Sequence, residues 1–281
     1  MLFKVVVRQI RFLLKQKEAI LTIILLFWII IINYLSNVFA FRGIDVSQMY
    51  HPMKLLTISY NRINYNANST LLIVMLYPFL VSLPAGFSYI KEHQTKEEIF
   101  FITRLGREKY IISKLFAVFF VTTIVFLIPF LTEIFMNCLS FPLNAQCDLS
   151  NLSVYSTEYS EMVHNYFGYP IFLYSPVLYA VSGTVFFSIL SGIIAMFTVS
   201  ISFVISVRYR VALLLPAFIL LNLTIYLDKL IEEDTARISW YEYMMLFSNT
   251  KKNTAYAVIA IMICLICIVC CYYIGKKMEK F

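Results

Sequence analysis

Six long apolar runs, separated by polar connections, dominate this sequence. They cover residues 20–41, 71–90, 115–138, 177–207, 211–227 and 255–274. A helix needs about 20 mostly apolar residues to cross the hydrocarbon core of a bilayer. The run at 211–227 is at the short end of that range, and the run at 177–207 is longer than needed. The pattern predicts an all-α membrane protein with six transmembrane helices in one domain over residues 1–281.

The composition argues against the other common classes. Hydrophobic residues make up 60% of the chain and charged residues 14%, whereas a soluble globular domain has about 25% charged residues. The strands of a membrane β-barrel alternate apolar and polar side chains. Residues 21–32 read LTIILLFWIIII and show no such alternation. We therefore expect helical spans.

The Lys and Arg residues fall mostly on alternate connections, and this distribution predicts the topology. If the N-terminus is cytoplasmic, 16 of the 23 Lys and Arg residues lie in cytoplasmic segments and 7 in outer segments. Cytoplasmic segments of membrane proteins carry this excess, so we expect both termini to be cytoplasmic. Because membrane orientation explains where the positive charge lies, the net charge of +7 does not indicate a nucleic-acid partner.

The first 19 residues predict an amphipathic elbow helix in the membrane interface. Its basic residues recur every three or four positions and so share one helical face. They are Lys4, Arg8, Arg11 and Lys15. Such a helix buries its apolar face and turns its cations toward anionic membrane lipid. The alternative is an ordinary basic flank that orients the first span.

The predicted cytoplasmic connection at 91–114 is dense in charges of both signs. Thr95 and Glu98 have the spacing of a capping box, in which each side chain bonds a free backbone N–H at the start of a helix. Gly106 suits the end of that helix. Phe100 and Phe101 would be exposed on it. Exposed aromatic side chains require a partner surface, either headgroups or another protein.

The predicted outer connection at 228–254 is a re-entrant loop with one or two short helices. Acidic residues are followed there by Trp, Tyr and a short apolar stretch. Trp and Tyr favour the depth of the membrane interface. We therefore expect this loop to return toward the membrane from the outer side.

Catalytic and nucleotide-binding motifs are missing from the sequence. No pair of glycines has the spacing of a phosphate-binding loop, so any ATP hydrolysis belongs to another chain. His51, His93 and His164 do not cluster. Glu133 is the clear charged residue within an apolar run. A buried ionisable group in a span is often functional, but this one is near the outer end and could instead extend to water.

The six cysteines leave one question open. Cys138 and Cys147 lie on the predicted outer side, where a disulfide and two free thiols are equally consistent with the sequence. The other four lie in the last apolar run with no His or carboxylate nearby, and are Cys264, Cys267, Cys270 and Cys271. We interpret them as small packing residues rather than a metal cluster.

The segment around 91–114 resembles the membrane subunit of bacterial type-2 ABC exporters. It reads YIKEHQT at 89–95 and ITRLGREKYIISK at 102–114. Permeases of this family carry an acidic residue, a variable stretch, two Arg residues, a Tyr and a Lys in this place. The order of elbow helix, spans, cytoplasmic helix and outer loop is similar over the whole chain.

The resemblance implies a fold and a mechanism. Two permease subunits, identical or different, would pair in the bacterial cell membrane, and each would dock on a cytoplasmic ABC ATPase subunit. That ATPase would bind ATP and Mg²⁺, and this chain would hold no cofactor. Closure of the ATPase pair would move the cytoplasmic helices and rock the spans. The first, second and fifth spans would line the path of a peptide, lipid-linked compound or amphiphilic drug.

The resemblance also implies roles for three groups of residues. The ATPase-coupling residues would be Glu92, Glu98, Phe100, Phe101, Arg104, Arg107 and Tyr110. The elbow residues are the four cations of the first helix. The outer gate would use Asp228, Glu232, Trp240 and Tyr243. The connection at 140–176 is longer than the family pattern, which leaves its role and the substrate open.

Two other functions remain as alternatives. A membrane adaptor or sensor would bind a partner without transport, and an adjacent ATPase reading frame would favour the exporter over it. A polytopic membrane enzyme lacks any catalytic constellation in the sequence.

Overall fold

The computed structural model describes residues 2–46, 49, 51–59, 75–144, 164–204, 210–228, 237–248 and 250–277. Within these residues the chain forms eleven α-helices and two 3₁₀ turns, and its β-structure consists of two isolated bridges. The predicted helical class is confirmed.

The helices follow one another closely along the chain. They are α1 Leu2–Leu14, α2 Lys17–Ala40, α3 Tyr77–Gly86, α4 Ser88–Gln94, α5 Glu97–Leu105, α6 Arg107–Ser140, α7 Tyr169–Tyr174, α8 Pro176–Val204, α9 Leu214–Asp228, α10 Trp240–Met244 and α11 Thr254–Lys277. The 3₁₀ turns are Pro52–Leu55 and Arg210–Leu213.

Within the part of the chain that the structure describes, four helices are long and apolar enough to cross a membrane. They are α2, α6, α8 and α11, and they correspond to the predicted first, third, fourth and sixth spans. The predicted second span contains α3, with 10 residues, and the predicted fifth contains α9, with 15 residues. Both are shorter than the 20 or so residues that a bilayer requires. These four helices make the chain a multi-pass membrane protein, and the prediction of six spans remains a prediction.

The helix that contains the third predicted span begins before the apolar run itself. Helix α6 starts at Arg107 and has 34 residues, so it is about 51 Å long. The predicted span at 115–138 therefore lies within a longer helix that starts among charged residues. The cation of Lys114 is neutralised inside the protein, as described below, so the helix continues through it.

The predicted second span is interrupted beside a proline. Proline has no N–H to donate and so removes one bond from the helical ladder. Helix α3 contains Pro84 and ends at Gly86, and α4 begins at Ser88. The interruption at Phe87 thus follows three residues after a proline.

Helix α8 is the centre of the bundle and packs against α3, α6, α9 and α11. Its small residues permit this packing, since a Cβ on Gly192 would lie 2.5 Å from the hydroxyl oxygen of Thr123 on α6. The Tyr77 hydroxyl of α3 lies 2.9 Å from the Ser191 hydroxyl of α8. Hydroxyl groups along α8, such as that of Thr184, also bond the carbonyl one turn before them.

The connections gather at two ends of the bundle. At the end that carries α5, Lys276 near the end of α11 pairs with Glu108 at the start of α6. At the opposite end, the Leu246 N–H donates to the Ile58 carbonyl at 2.9 Å, so residues 51–59 lie beside the segment around α10. These contacts agree with the predicted alternation of connections. Which end faces the cytoplasm remains a prediction from the Lys and Arg distribution.

Candidate functional site

A buried ionic cluster joins α4 to α6 directly behind α5. The Lys114 ammonium donates to Glu92 Oε1 at 2.6 Å, and the Tyr110 hydroxyl donates to Glu92 Oε2 at 2.6 Å. Lys114 and Tyr110 are fully buried, and Glu92 is 5% exposed. Both carboxylate oxygens are therefore bonded away from water, and one side chain of α4 is held by two side chains of α6.

The turn between α4 and α5 differs from the expected capping box. The Thr95 hydroxyl donates to the Lys91 carbonyl at 2.9 Å and so caps the end of α4, whereas no side chain caps the start of α5. Lys96 has a φ of 59°, which reverses the chain direction. Glu98 bonds back to α4, since its carboxylate lies 2.6 Å from His93 Nδ1. The capping-box prediction is wrong because both side chains satisfy α4 instead.

Helix α5 lies on the surface with no buried residue. Ile99 is 57% exposed and Phe100 is 69% exposed. Phe101 is less exposed because its ring stacks on that of Tyr110 with centroids 5.9 Å apart. The helix ends at Gly106, whose φ of 79° favours glycine. The result is a short helix with an apolar outward face, attached to the bundle at both of its ends.

The predicted coupling residues divide into two groups. Phe100, Phe101 and Arg104 lie on the surface of α5 and Arg107 is half-buried at the start of α6, so these residues can reach a partner. Glu92 and Tyr110 are buried, so a coupling role for them would act through other side chains of this chain and stays a prediction. Glu98 bonds within the chain.

Lys114 is a further candidate residue that was not among the predicted ATPase-coupling residues. It completes the buried cluster with Glu92. The signal was present, because the family pattern ends in a Lys after the Tyr. It was overlooked because residue 114 lies at the border of an apolar run, where a flanking lysine is ordinary.

Helix α1 covers the segment of the predicted elbow helix and packs along α6, and its position in the membrane interface stays a prediction. Its buried stripe consists of Val6, Gln9 and Leu13. The four predicted elbow cations are all exposed on the opposite face, and are Lys4, Arg8, Arg11 and Lys15. The buried face thus contacts protein rather than headgroups, and the exposed Phe3 and Phe12 flank it.

A second buried polar cluster lies at the opposite end of the bundle, around Glu133 of α6. Glu133 Oε1 accepts from the Thr57 N–H at 2.8 Å, the Thr57 hydroxyl at 2.6 Å and Asn33 Nδ2 at 3.0 Å. Glu133 is 1% exposed. The interpretation that its side chain extends to water is therefore wrong.

Asparagine side chains attach residues 51–59 to the same place. Asn33 and Asn37 of α2 both donate to the Leu55 carbonyl, at 3.0 and 2.9 Å. Asn137 of α6 donates to the Pro52 carbonyl at 3.3 Å. The sequence contained a signal for this cluster, since Asn33 and Asn37, and likewise Glu133 and Asn137, are polar pairs four residues apart in apolar runs.

The predicted gate residues hold the segment from 237 to 253 together. Asp228 at the end of α9 accepts from the N–H groups of Ile238 and Ser239, at 2.5 and 3.0 Å. Trp240 is buried on α10. Tyr243 donates to the Arg237 carbonyl at 2.7 Å. Glu232, the fourth predicted gate residue, lies outside the described residues, and a gating role for the four stays a prediction.

Aromatic rings close this end of the bundle. The Phe247 ring packs against those of Tyr166, Phe172 and Tyr179, with centroids between 5.1 and 6.0 Å away. A cavity of about 200 Å³ lies beside this cluster, between α8 and the α10 segment. Its lining includes Phe186 and is mostly apolar. Residues 164–176 of the connection at 140–176 thus contribute to the same cover.

Two groups in these connections have a shifted pKa. Burial lowers the pKa of Lys252 to about 8, although the nearby Glu242 opposes that shift. Burial, together with the charge of Lys54, lowers the pKa of His51.

The cysteines are spread over different environments. Cys264 of α11 is buried, whereas Cys270 is exposed. Cys267 and Cys271 are partly buried. Cys138 is a free thiol in the structure, and Cys147 lies outside the described residues.

Comparisons with known proteins identify no relative. No family model matches the chain, and no curated protein or solved structure does. The function is therefore inferred from the residue pattern and from the geometry of α5 and its anchor.

Proposed function

We propose that this chain is the membrane-spanning subunit of an ATP-driven exporter of the ABC class. It pairs with a second permease subunit, identical or different, in the bacterial cell membrane and couples to a separate ATPase subunit. The observation that carries the proposal is the surface helix α5, which has exposed Ile99 and Phe100 and a buried ionic anchor.

The shape of α5 supports a docking role. It has nine residues and no buried side chain. So short a helix is marginal on its own in water, and apolar side chains on its outer face favour a protein partner. The connection at 91–114 is on the predicted cytoplasmic side, where an ABC ATPase would be.

The anchor supports a coupling role. A partner that pushes on α5 also pushes on α4, because the Glu98 carboxylate holds His93 at 2.6 Å. Movement of α4 then acts on α6 through Lys114 and Tyr110. A buried ion pair resists separation because each charge alone is costly to bury. The force therefore reaches a spanning helix that packs on α1, α2 and α8.

The substrate class follows the resemblance alone: a peptide, a lipid-linked compound or an amphiphilic drug. ATP and Mg²⁺ belong to the partner subunit. The elbow cations face away from the protein and can meet anionic lipid headgroups.

The test is purification of the chain from its native membrane in mild detergent, with identification of the proteins that accompany it. We expect a stoichiometric ATPase subunit that is lost in Phe100→Asp and Arg104→Glu. Phe100→Leu keeps the apolar surface and should keep the ATPase. Arg42→Glu makes the same charge change at an exposed site outside the predicted cytoplasmic segments and should have no effect.

The exposed face of α5 would equally suit the partner of a membrane adaptor or sensor. Recovery of a stoichiometric partner without ATPase activity would favour that function. Normal ATPase binding and normal transport in both Phe100→Asp and Arg104→Glu would show that α5 is not the coupling site.

A further inference from the structure

Three buried oxygen atoms around Glu133 have no hydrogen-bond partner among the described residues. They are Glu133 Oε2, Asn33 Oδ1 and Asn137 Oδ1. Each of the three side chains is at most 1% exposed. A buried polar atom without a partner costs free energy, so three of them in one region require an explanation.

The three side chains that carry these oxygens are neighbours. Asn33 Nδ2 lies 3.0 Å from Glu133 Oε1, so the amide of α2 and the carboxylate of α6 are in direct contact. Asn137 is one helical turn beyond Glu133, which places their Cβ atoms about 5–6 Å apart. The amide nitrogens of both asparagines are already used as donors. The atoms left over are therefore all acceptors.

Glu133 has the hydrogen bonds of an ionised carboxylate. Its Oε1 accepts three bonds, two of them from Thr57, and several donors on one oxygen favour the charged form. Burial disfavours that charge, and hydrogen bonds offset only part of the cost. Within the part of the chain that the structure describes, Glu133 forms no ion pair. Its other oxygen, Oε2, faces no donor there.

The helix ends add to the negative potential. Helix α2 ends at Ala40 and α6 ends at Ser140, and Asn37 and Asn137 lie in their last turns. The C-terminal end of a helix carries a partial negative charge. One carboxylate and two unpartnered amide oxygens thus belong to neighbouring side chains toward the C-terminal ends of two helices, an environment that attracts a cation.

We propose that Glu133, Asn33 and Asn137 bind a monovalent metal cation. Oxygen atoms of carboxylates and amides are ligands for hard cations. The charge decides the class: one carboxylate neutralises one positive charge, whereas a divalent ion would leave an uncompensated charge buried in the bundle. The ion would hold the 51–59 segment between α2 and α6, because Thr57 is bonded to the same carboxylate. This site is independent of the ATPase partner.

The test uses the full chain purified in detergent. Thermal unfolding is measured in NaCl and in KCl, each against choline chloride at equal ionic strength, together with ²²Na⁺ binding. Once the free cation concentration exceeds the dissociation constant, we expect the Tm to rise by about 3 °C for each further tenfold increase in that concentration. Glu133→Gln keeps the shape of the side chain and should abolish the rise. Glu108→Gln, the same substitution on the exposed first turn of α6, should retain it.

A second variant keeps the test informative if Glu133→Gln misfolds. Asn137→Ala keeps the carboxylate but removes one oxygen, and we expect half-saturation at roughly tenfold higher cation, the scale on which metal sites respond to a lost partner. An equal Tm in NaCl, KCl and choline chloride would overturn the proposal. So would stabilisation by acid alone that Glu133→Gln removes, since a proton would then be the occupant.

Discussion

Lys114→Met is the sharpest test of the anchor behind α5. The change removes the ammonium and leaves the Glu92 carboxylate buried, with the Tyr110 hydroxyl as its remaining donor among the described residues. Breaking a buried ion pair by removing one partner costs about 3–5 kcal/mol. For a chain somewhat longer than 150–250 residues, each kcal/mol lowers the Tm by about 2–4 °C. We therefore expect the Tm to fall by roughly 6–20 °C.

The double variant Glu92→Gln with Lys114→Met separates the pair from its surroundings. It removes both charges and retains an amide oxygen that can accept from Tyr110. Replacing both partners of a buried pair is often close to neutral, so most of the lost Tm should return. The difference between the double variant and the sum of the single variants measures the interaction.

The assay is thermal unfolding in detergent, followed by intrinsic fluorescence and by size-exclusion of the heated sample. Lys276→Met is the matched control, because it breaks an exposed pair with Glu108 at the same end of the bundle. Exposed pairs contribute little, so this control should not move the Tm measurably. If Lys114→Met shifts the Tm no further than Lys276→Met, the anchor is not buried and the coupling argument fails.

Two further predictions concern packing and pH. Gly192→Ala should lower the Tm by several degrees, because its Cβ would lie 2.5 Å from the Thr123 hydroxyl oxygen. In the control Gly86→Ala the nearest contact of the new Cβ is 3.6 Å away, so the Tm should change less. Equal shifts in the two variants would contradict the close packing of α6 and α8. For Lys252, the folded-state pKa of about 8 is below the ordinary 10.5, so the unfolded chain binds more protons and stability should rise from pH 8 toward pH 10. Thermal unfolding over that range should show the rise in the wild type and lose it in Lys252→Met.

Helix α5 shows how far local patterns reach. Its place in the chain and its end at Gly106 follow from the charges and the glycine in the sequence. Its start does not follow from them, because Thr95 and Glu98 could bond either the free backbone N–H groups at the start of α5 or groups of α4. Both bonded α4, and that choice depends on the turn at Lys96 rather than on spacing.

The polar residues inside the apolar runs show the limit more clearly. Glu133 was visible as a costly charge, but its sequence position suited both burial and contact with water. What decided between them was Thr57, which is 76 residues away and donates to it twice. A long-range partner of this kind has no signature in a local window.

The sequence by itself determined the helical membrane class, four of the spanning helices and the grouping of the connections at two ends. These follow from length and hydrophobicity, because an apolar chain in lipid must satisfy its own backbone. Only the tertiary structure decided which charges are buried and with what partners. Glu92 meets Lys114 across 22 residues, and Glu133 meets Asn33 across 100. The physical reason is that a charge is stable in an apolar bundle only when packing brings its partner to it.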